Sequence, residues 1–253
     1  MEYGLIGEKL GHSYSKIIHE KLADYKYEIT PLSREDFKPF MEARDFKAIN
    51  VTIPYKRDVI PYLDEIDDNA RVIGAVNTIV HRDGKLTGHN TDFSGFLYMV
   101  EHNGVHVTGK KVIVLGNGGA AQAVLAVLEF LKAKNIIIVK LNGGDGVISY
   151  EECQRFHSDA QLIINTSPVG MYPKVDASPI DISLYPYCEA VLDIIYNPLK
   201  TKLLLQAAEL GLMAVNGLEM LVAQAKYAVE YFLDTEIEDT VIDDIYNKIL
   251  AEL

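Results

Sequence analysis

The stretch VIVLGNGGAAQAV, residues 112–124, restricts the fold more than any other part of this chain. An unbroken apolar run fits a strand buried on both faces, as in a parallel sheet. Gly116, Gly118 and Gly119 then supply a turn, and a helix is predicted from Ala120 to Lys132. The pattern is GxGGA, with Ala121 at the position of the third fingerprint glycine. Small residues suit such a turn because backbone N–H groups and the helix N-terminus must come within hydrogen-bonding reach of a pyrophosphate. The alternative is an ordinary tight turn between strand and helix. A phosphate loop of the Gly-Lys-Ser/Thr type is excluded, since none follows.

The rest of the chain repeats the alternation of short apolar runs and helical patterns, which predicts an α/β fold with largely parallel sheets. In the first third, strands are predicted at Tyr3 to Gly7, Tyr27 to Pro31, Lys47 to Ile53 and Val76 to His81. Helices are predicted to open at Ser13, at Ser33, where Asp36 completes a capping-box pattern, and near Lys56. Arg82-Asp83-Gly84-Lys85 carries the chemistry of a β-turn. A helix then starts near Thr91 or Asp92 and stops at Gly104. After Lys110 a doubly wound pattern runs through KKVIVLG, NIIIVKL, QLIINTS and AVLDIIY. Two amphipathic helices, Leu218 to Leu233 and about Asp239 to Leu253, close the chain and are expected to pack back on the first domain. Two α/β domains are expected: residues 1–92 with 218–253, and a Rossmann-like domain over 93–217.

Composition narrows the function. With 24 basic and 36 acidic residues the formal charge is −12, and no Lys/Arg run offers a landing strip to nucleic acid. Cys153 and Cys188 have no metal-ligand spacing, so no metal is expected, and free thiols in a reduced cytoplasmic protein are. The N-terminus lacks a signal-peptide pattern, and no apolar run approaches the ~18 residues that span a bilayer. No membrane partner is expected.

Polar side chains gather where strands are predicted to end, the place at which open α/β sheets bind ligands. Asn50, Thr52 and Lys56 lie in NVTIPYK, Asn77 in AVNT, and Thr91 and Asp92 in HNTD. Each has a plain structural role open to it: Lys56 as a solvated first-turn residue, Asp92 as a helix N-cap, Asn77 as a turn residue and Thr52 as a strand residue. Spacing alone does not choose.

The ordered series GHSYSKIIHE, INVTIPYK, GAVNTI, GHNTDFSGF, VLGNGGAAQAV, NTSPVGM, DIIYNPLKT and NGLEMLVAQA resembles the signature blocks of the shikimate dehydrogenase family. The resemblance covers nearly the whole chain. It implies an oxidoreductase that reduces 3-dehydroshikimate to shikimate with a nicotinamide dinucleotide, on the route to chorismate and the aromatic amino acids. It further implies that Ser13 and Ser15 hold the substrate carboxylate, extending the anion site of a helix N-terminus without a fixed cation. Lys56 and Asp92 match the catalytic pair; Thr52, Asn77, Tyr196 and Gln224 match other substrate contacts. On the cofactor side stand Gly116, Asn117, Gly118, Gly119, Ala120 and Lys140, with Asn165, Thr166, Gly217 and Met220 near the nicotinamide.

One departure affects the cofactor. Family members that use NADP usually carry Asn-Arg-Thr after the second strand of the dinucleotide unit, whereas this chain reads Lys140-Leu141-Asn142 and the following region is short. NADP is the implied cofactor, with Lys140 as a point charge for its 2′-phosphate; NAD is the alternative. Two other readings stand beside the main one: a quinate/shikimate dehydrogenase using NAD, against which Ser15 weighs because threonine there resembles the quinate-accepting type, and a non-catalytic sensor of a shikimate-like acid. The expected assembly is a monomer or a homodimer.

Overall fold

The computed structural model describes residues 1–10 and 14–252, so Ser13 lies outside the described residues. Its elements run β1 (Tyr3–Gly7), α1 (Ser15–Leu22), β2 (Tyr27–Pro31), α2 (Arg34–Ala43), β3 (Ala48–Val51), β4 (Glu65–Ile66), α3 (Asp68–Ile73), β5 (Thr78–Arg82), β6 (Lys85–His89) and α4 (Thr91–His102). They continue with β7 (Lys111–Leu115), α5 (Gly119–Phe130), β8 (Asn135–Val139), α6 (Tyr150–Phe156), β9 (Leu162–Asn165), β10 (Ala190–Asp193), α7 (Lys202–Glu209), β11 (Met213–Val215), α8 (Leu218–Leu233) and α9 (Thr240–Glu252). The chain divides into two compact units, Met1–Phe96 with Leu221–Leu253, and Leu97–Met220.

The first unit holds a six-stranded sheet in the order β2-β1-β3-β5-β6-β4. It is mixed, not largely parallel: β1 runs parallel to β2 and β3, whereas β5 is antiparallel to both β3 and β6. The two-residue connection from β5 to β6 forces that pair to be antiparallel, because a parallel pair needs a crossover of a dozen residues or more. Asp83 and Gly84 both take positive φ, 52° and 77°, the combination that a tight hairpin turn requires. One face of the sheet packs Ile6, Phe37, Met41, Ile49, Tyr55 and Ile79 into a buried cluster. A second cluster joins Leu5, Tyr27, Ala48 and Val80 to Ala228 and Phe232 of α8. The C-terminal helices thus belong with the first sheet.

Helix starts follow their caps. The Ser33 hydroxyl accepts from Asp36 N at 3.2 Å, and it also donates to the Asp36 carboxylate, so only half of the reciprocal capping box forms. Asp67 opens α3 by accepting from Ala70 N at 2.7 Å. The helix predicted near Lys56 is absent. Residues 53–59 form turns leading to a 3₁₀ turn, Ile60–Tyr62. Pro61 explains this: in an α-helix its ring would strike the Arg57 carbonyl, and instead Ile60 N donates to that carbonyl three residues back.

The second unit is an all-parallel sheet in the order β11-β10-β9-β7-β8. With β7 as strand 1, this is the doubly wound order 3-2-1-4-5-6 without its strand 3. Where that strand would lie, Ile148 makes a single parallel bridge to Val139. Ser149 and Glu152 then form a complete capping box for α6. No helix among the described residues is long and apolar enough to cross a membrane.

In the first unit His19 of α1 is fully buried, its ring stacked on Tyr27 at 4.0 Å. Nδ1 lies 2.7 Å from the Tyr25 hydroxyl, and Nε2 has no partner among the described residues. Burial without a carboxylate lowers its pKa from 6.5 to about 3. Below about pH 6.5 the unfolded chain therefore takes up a proton that the folded chain refuses until about pH 3, and stability falls as the pH drops through that window. Urea denaturation at about pH 7.5 and about pH 5 should show this single group costing about 2 kcal/mol at the lower pH. His19→Phe should lose less over the same interval; an equal loss in both proteins would remove His19 as the cause.

Candidate active site

Lys56 and Asp92 are far apart in sequence, and both are fixed to the segment just before β5. The Lys56 carbonyl accepts from Val76 N at 2.8 Å. One residue earlier, the Ala75 carbonyl accepts from Asn90 Nδ2 at 2.8 Å, while Asn90 Oδ1 accepts from Asp92 N at 3.1 Å and so caps α4. Two neighbouring peptide units thus position both residues. Lys56 Nζ lies 2.5 Å from Asp92 Oδ2, with the side chains only 17% and 13% exposed. The sliver of exposure leaves the pair reachable by a small ligand.

Beside the pair runs a buried polar chain. The Tyr27 hydroxyl donates to Asn50 Oδ1 at 2.7 Å, and Asn50 Nδ2 donates to the Thr78 hydroxyl at 3.1 Å and the Asn77 carbonyl at 3.3 Å. The Asn77 side chain accepts at Oδ1 from Thr91 N at 2.8 Å and from the Thr78 hydroxyl at 3.0 Å. Its Nδ2 donates to the Thr91 hydroxyl at 3.1 Å. With the oxygen occupied by two donors, what Asn77 has left to offer is an N–H. Thr52 follows β3, half-buried, with its backbone N bonded to the Ile6 carbonyl at 2.9 Å. A Cβ on Gly7 would lie 2.6 Å from Thr52 Cγ2, so the glycine lets the two strand ends close up. Ser15 is the first residue of α1 and half-buried; Gln224 on α8 donates to the Leu221 carbonyl at 2.9 Å.

The glycine turn of the second unit has its own geometry. Gly116 takes φ 109°, and a Cβ there would sit 2.9 Å from Thr166 Oγ1, so only glycine fits. At Gly118 and Gly119 a Cβ would meet nothing within 4 Å: the space over the start of α5 is open. Gly118 caps that helix without a side-chain hydrogen bond. The first N–H groups of α5 thus face open space with a partial positive charge, which suits a phosphate. Asn117 is exposed and accepts from Gln122 Nε2 at 3.1 Å; Ala120 is half-buried in the first turn.

The remaining residues divide between surface and interior. Lys140 is exposed just past β8. Thr166 donates through Oγ1 to the Leu115 carbonyl at 2.9 Å, tying the loop after β9 to the end of β7. Asn165 is wholly buried, and all four of its amide positions are taken: Nδ2 by Asp193 and the Val169 carbonyl, Oδ1 by the backbone N and the hydroxyl of Ser167. At Gly217 a Cβ would come 2.1 Å from the Ile194 carbonyl oxygen, so this glycine answers to close packing on the backbone. Met220 is buried and Tyr196 half-buried. Sequence reasoning missed Tyr27, Thr78, Asn90, Asp193 and Thr201. Asn90 was legible as an N-cap two residues before Asp92, and Asp193 as the lone carboxylate in the apolar run AVLDIIY.

Comparison with known proteins agrees with this architecture. Residues 5–79 match the shikimate dehydrogenase substrate binding domain. The chain is 39% identical to shikimate dehydrogenase (NADP(+)) of Clostridium beijerinckii, over 97% of this chain and 96% of that protein. A chorismate mutase/shikimate 5-dehydrogenase fusion protein from Clostridium acetobutylicum superposes with a TM-score of 0.94 at 39% identity, covering 99% of this chain and 97% of that one. Shikimate 5-dehydrogenase from Thermus thermophilus, solved in complex with NADP(H) and shikimate, gives 0.86 at 26% identity, covering 98% and 99%. With its eight sequence blocks, two sheets and an extent that matches these proteins almost end to end, the chain belongs to the shikimate dehydrogenase family.

Proposed function

We propose that this chain catalyses the reversible, NADP(H)-dependent interconversion of 3-dehydroshikimate and shikimate, a step toward chorismate and the aromatic amino acids. The observation that carries the reading is the Lys56–Asp92 pair, 2.5 Å apart and largely withdrawn from water. In the reducing direction the Lys56 ammonium faces the ketone oxygen, stabilises the charge that develops there and delivers the proton that completes the alcohol. Asp92 holds the ammonium in place; in the oxidising direction the same pair takes the proton back. NADP(H), when bound, supplies or accepts the hydride. The remaining N–H of Asn77 fits a ring hydroxyl as acceptor, and Thr52 and Gln224 offer further polar contacts. Ser15 at the start of α1, with Ser13, would bind the carboxylate.

The cofactor fits the second unit. The open space over Gly118 and Gly119 and the uncapped start of α5 are suited to a pyrophosphate, and Gly116 to the turn that presents it. Lys140 would meet the 2′-phosphate as a single charge, without the planar fork of an arginine. The relatives' NADP-dependent names favour this over the NAD-dependent quinate and sensor readings. The free, buried thiols of Cys153 and Cys188 accord with a cytoplasmic setting.

Two measurements test these assignments. Following reduced nicotinamide by absorbance with shikimate and NADP+, Lys56→Ala should lower kcat about 10²- to 10⁴-fold while shifting the shikimate KM only a few-fold. A change confined to KM would make Lys56 a binding residue, and no turnover by folded wild-type protein would reject the function. Lys140→Ala should weaken NADP+ about fivefold, in line with an exposed charge pair of ~1 kcal/mol, and leave NAD+ unchanged. Equal effects on both dinucleotides would take Lys140 away from the 2′-phosphate.

A further inference from the structure

Asp193 ends β10 in register with Asn165 at the end of β9, wholly buried. Among the described residues its carboxylate has three donors and no cation: Oδ1 accepts from Asn165 Nδ2 at 3.0 Å and Ile195 N at 3.1 Å, and Oδ2 from the Thr201 hydroxyl at 2.7 Å. Each donor leads elsewhere. Asn165, through Ser167 and the Val169 carbonyl, closes the loop 165–169 on itself. The next residue, Thr166, bonds the Leu115 carbonyl through both its backbone N and its hydroxyl and lies against Gly116. Thr201 caps α7, accepting from Leu204 N at 3.3 Å. Ile195 accepts from Gly217 N at 3.0 Å. One buried carboxylate thus braces the segment beside the glycine turn, the start of α7 and the segment carrying Gly217.

We propose that Asp193 is a positioning residue of the dinucleotide site, and that only its ionised form, with all three donors engaged, holds the 165–169 loop against the glycine turn so that the nucleotide binds. The ionised carboxylate accepts three charge-assisted hydrogen bonds; protonation turns one acceptor site into a donor among groups that all present donors and leaves the three bonds neutral and weaker, so the brace loosens. The groups facing Asp193 are Asn165 from β9, Ile195 from its own segment and Thr201 from the start of α7, none of them titratable. The basic residues flanking Thr201, Lys200 and Lys202, are both exposed, and Lys202 donates to the Asp176 carbonyl. Burial with no cation to offset it raises the Asp193 carboxyl from 3.8 to about 6, the three donors pulling the other way. Nucleotide affinity is then linked to this proton: full above about pH 6 and lost, about tenfold per pH unit, as the pH falls below it. The proposal rests on the dinucleotide site being used as proposed above.

Calorimetric titration of NADP+ and of NAD+ into the full chain between about pH 5 and about pH 8 tests it. NAD+ matters because the 2′-phosphate of NADP+ titrates near pH 6 itself. The wild type should lose affinity for both dinucleotides on acidification. Asp193→Asn, confirmed folded by circular dichroism, should bind NAD+ at least tenfold more weakly at about pH 7.5, with the acid-side slope gone and only the phosphate's slope left for NADP+. Thr201→Val keeps the carboxyl and removes one donor to its charged form, so the onset of affinity loss should move to higher pH. A pH profile for NAD+ that is flat in the wild type, or unaltered in both variants, overturns the role of Asp193. Failure of the wild type to bind either dinucleotide at any pH would instead bring down the function on which the proposal stands.

Discussion

A lysine and an aspartate held 2.5 Å apart away from water can work only if nothing beside them is short of a partner. Withdrawing two charges from solvent costs several kcal/mol per ion before any attraction is counted, and stranding one of them costs roughly 3–5 kcal/mol. The first unit meets this almost throughout, with one Asn77 N–H left to offer. Asn77, Thr78, Thr91, Asn50 and Tyr27 satisfy one another in a continuous buried chain, and Asn90 fixes the turn on which Asp92 stands. A partly satisfied network would let the two charges drift toward water and dissolve the geometry that gives the ammonium its direction. The sheet thus serves as a ruler: Val76 sets Lys56 by a backbone bond, and Ala75 sets Asp92 through the Asn90 side chain.

Two buried carboxylates, Asp92 and Asp193, are kept in opposite ways. Asp92 has a cation at contact distance, whereas Asp193 has only neutral donors. An anion held by dipoles alone is well oriented but poorly compensated, which is why burial moves the Asp193 carboxyl upward. The same economy of cations marks the glycine turn. On the proposed assignment, a chain with a formal charge of −12 would offer an anionic nucleotide the dipole and first N–H groups of α5.

Much of this was legible because the strongest signals were local. The apolar run with its glycine turn specified β7 and α5, and Asp83-Gly84 specified a hairpin, since each depends on residues adjacent in sequence. Around Lys56 the hydrophobic spacing suggests a helix, and the steric veto of Pro61 overrides it. The same hairpin is what makes the first sheet mixed where the alternation of elements suggests a parallel one. Asn50, Asn77, Thr91 and Asn165 stand out one by one, but the bonds that join Asn50–Asn77–Thr91 and Asn165–Asp193–Thr201 escaped for another reason. Their members are ordinary strand-end and cap residues, and only strand register, which no single segment encodes, brings them within hydrogen-bonding distance.

The missing third strand of the second sheet shows how a deletion at an edge can reach the site. Where other doubly wound sheets extend outward, this chain turns back within residues 140–149, using positive φ at Gly143, Gly144 and Gly146 and a single bridge from Ile148 to Val139. Lys140 N donates to the Ile148 carbonyl, so the shortcut begins at the residue that follows β8. A longer excursion could build a wall for the adenosine end of a nucleotide and place a planar guanidinium on it. The shortcut leaves an exposed lysine and an exposed Leu141, a point charge beside an apolar side chain. Discrimination by a point charge in water is weak and fades with ionic strength. On the proposed assignment, then, the glycine turn and the brace behind it would supply most of the nucleotide's affinity, and the edge of the sheet only its preference.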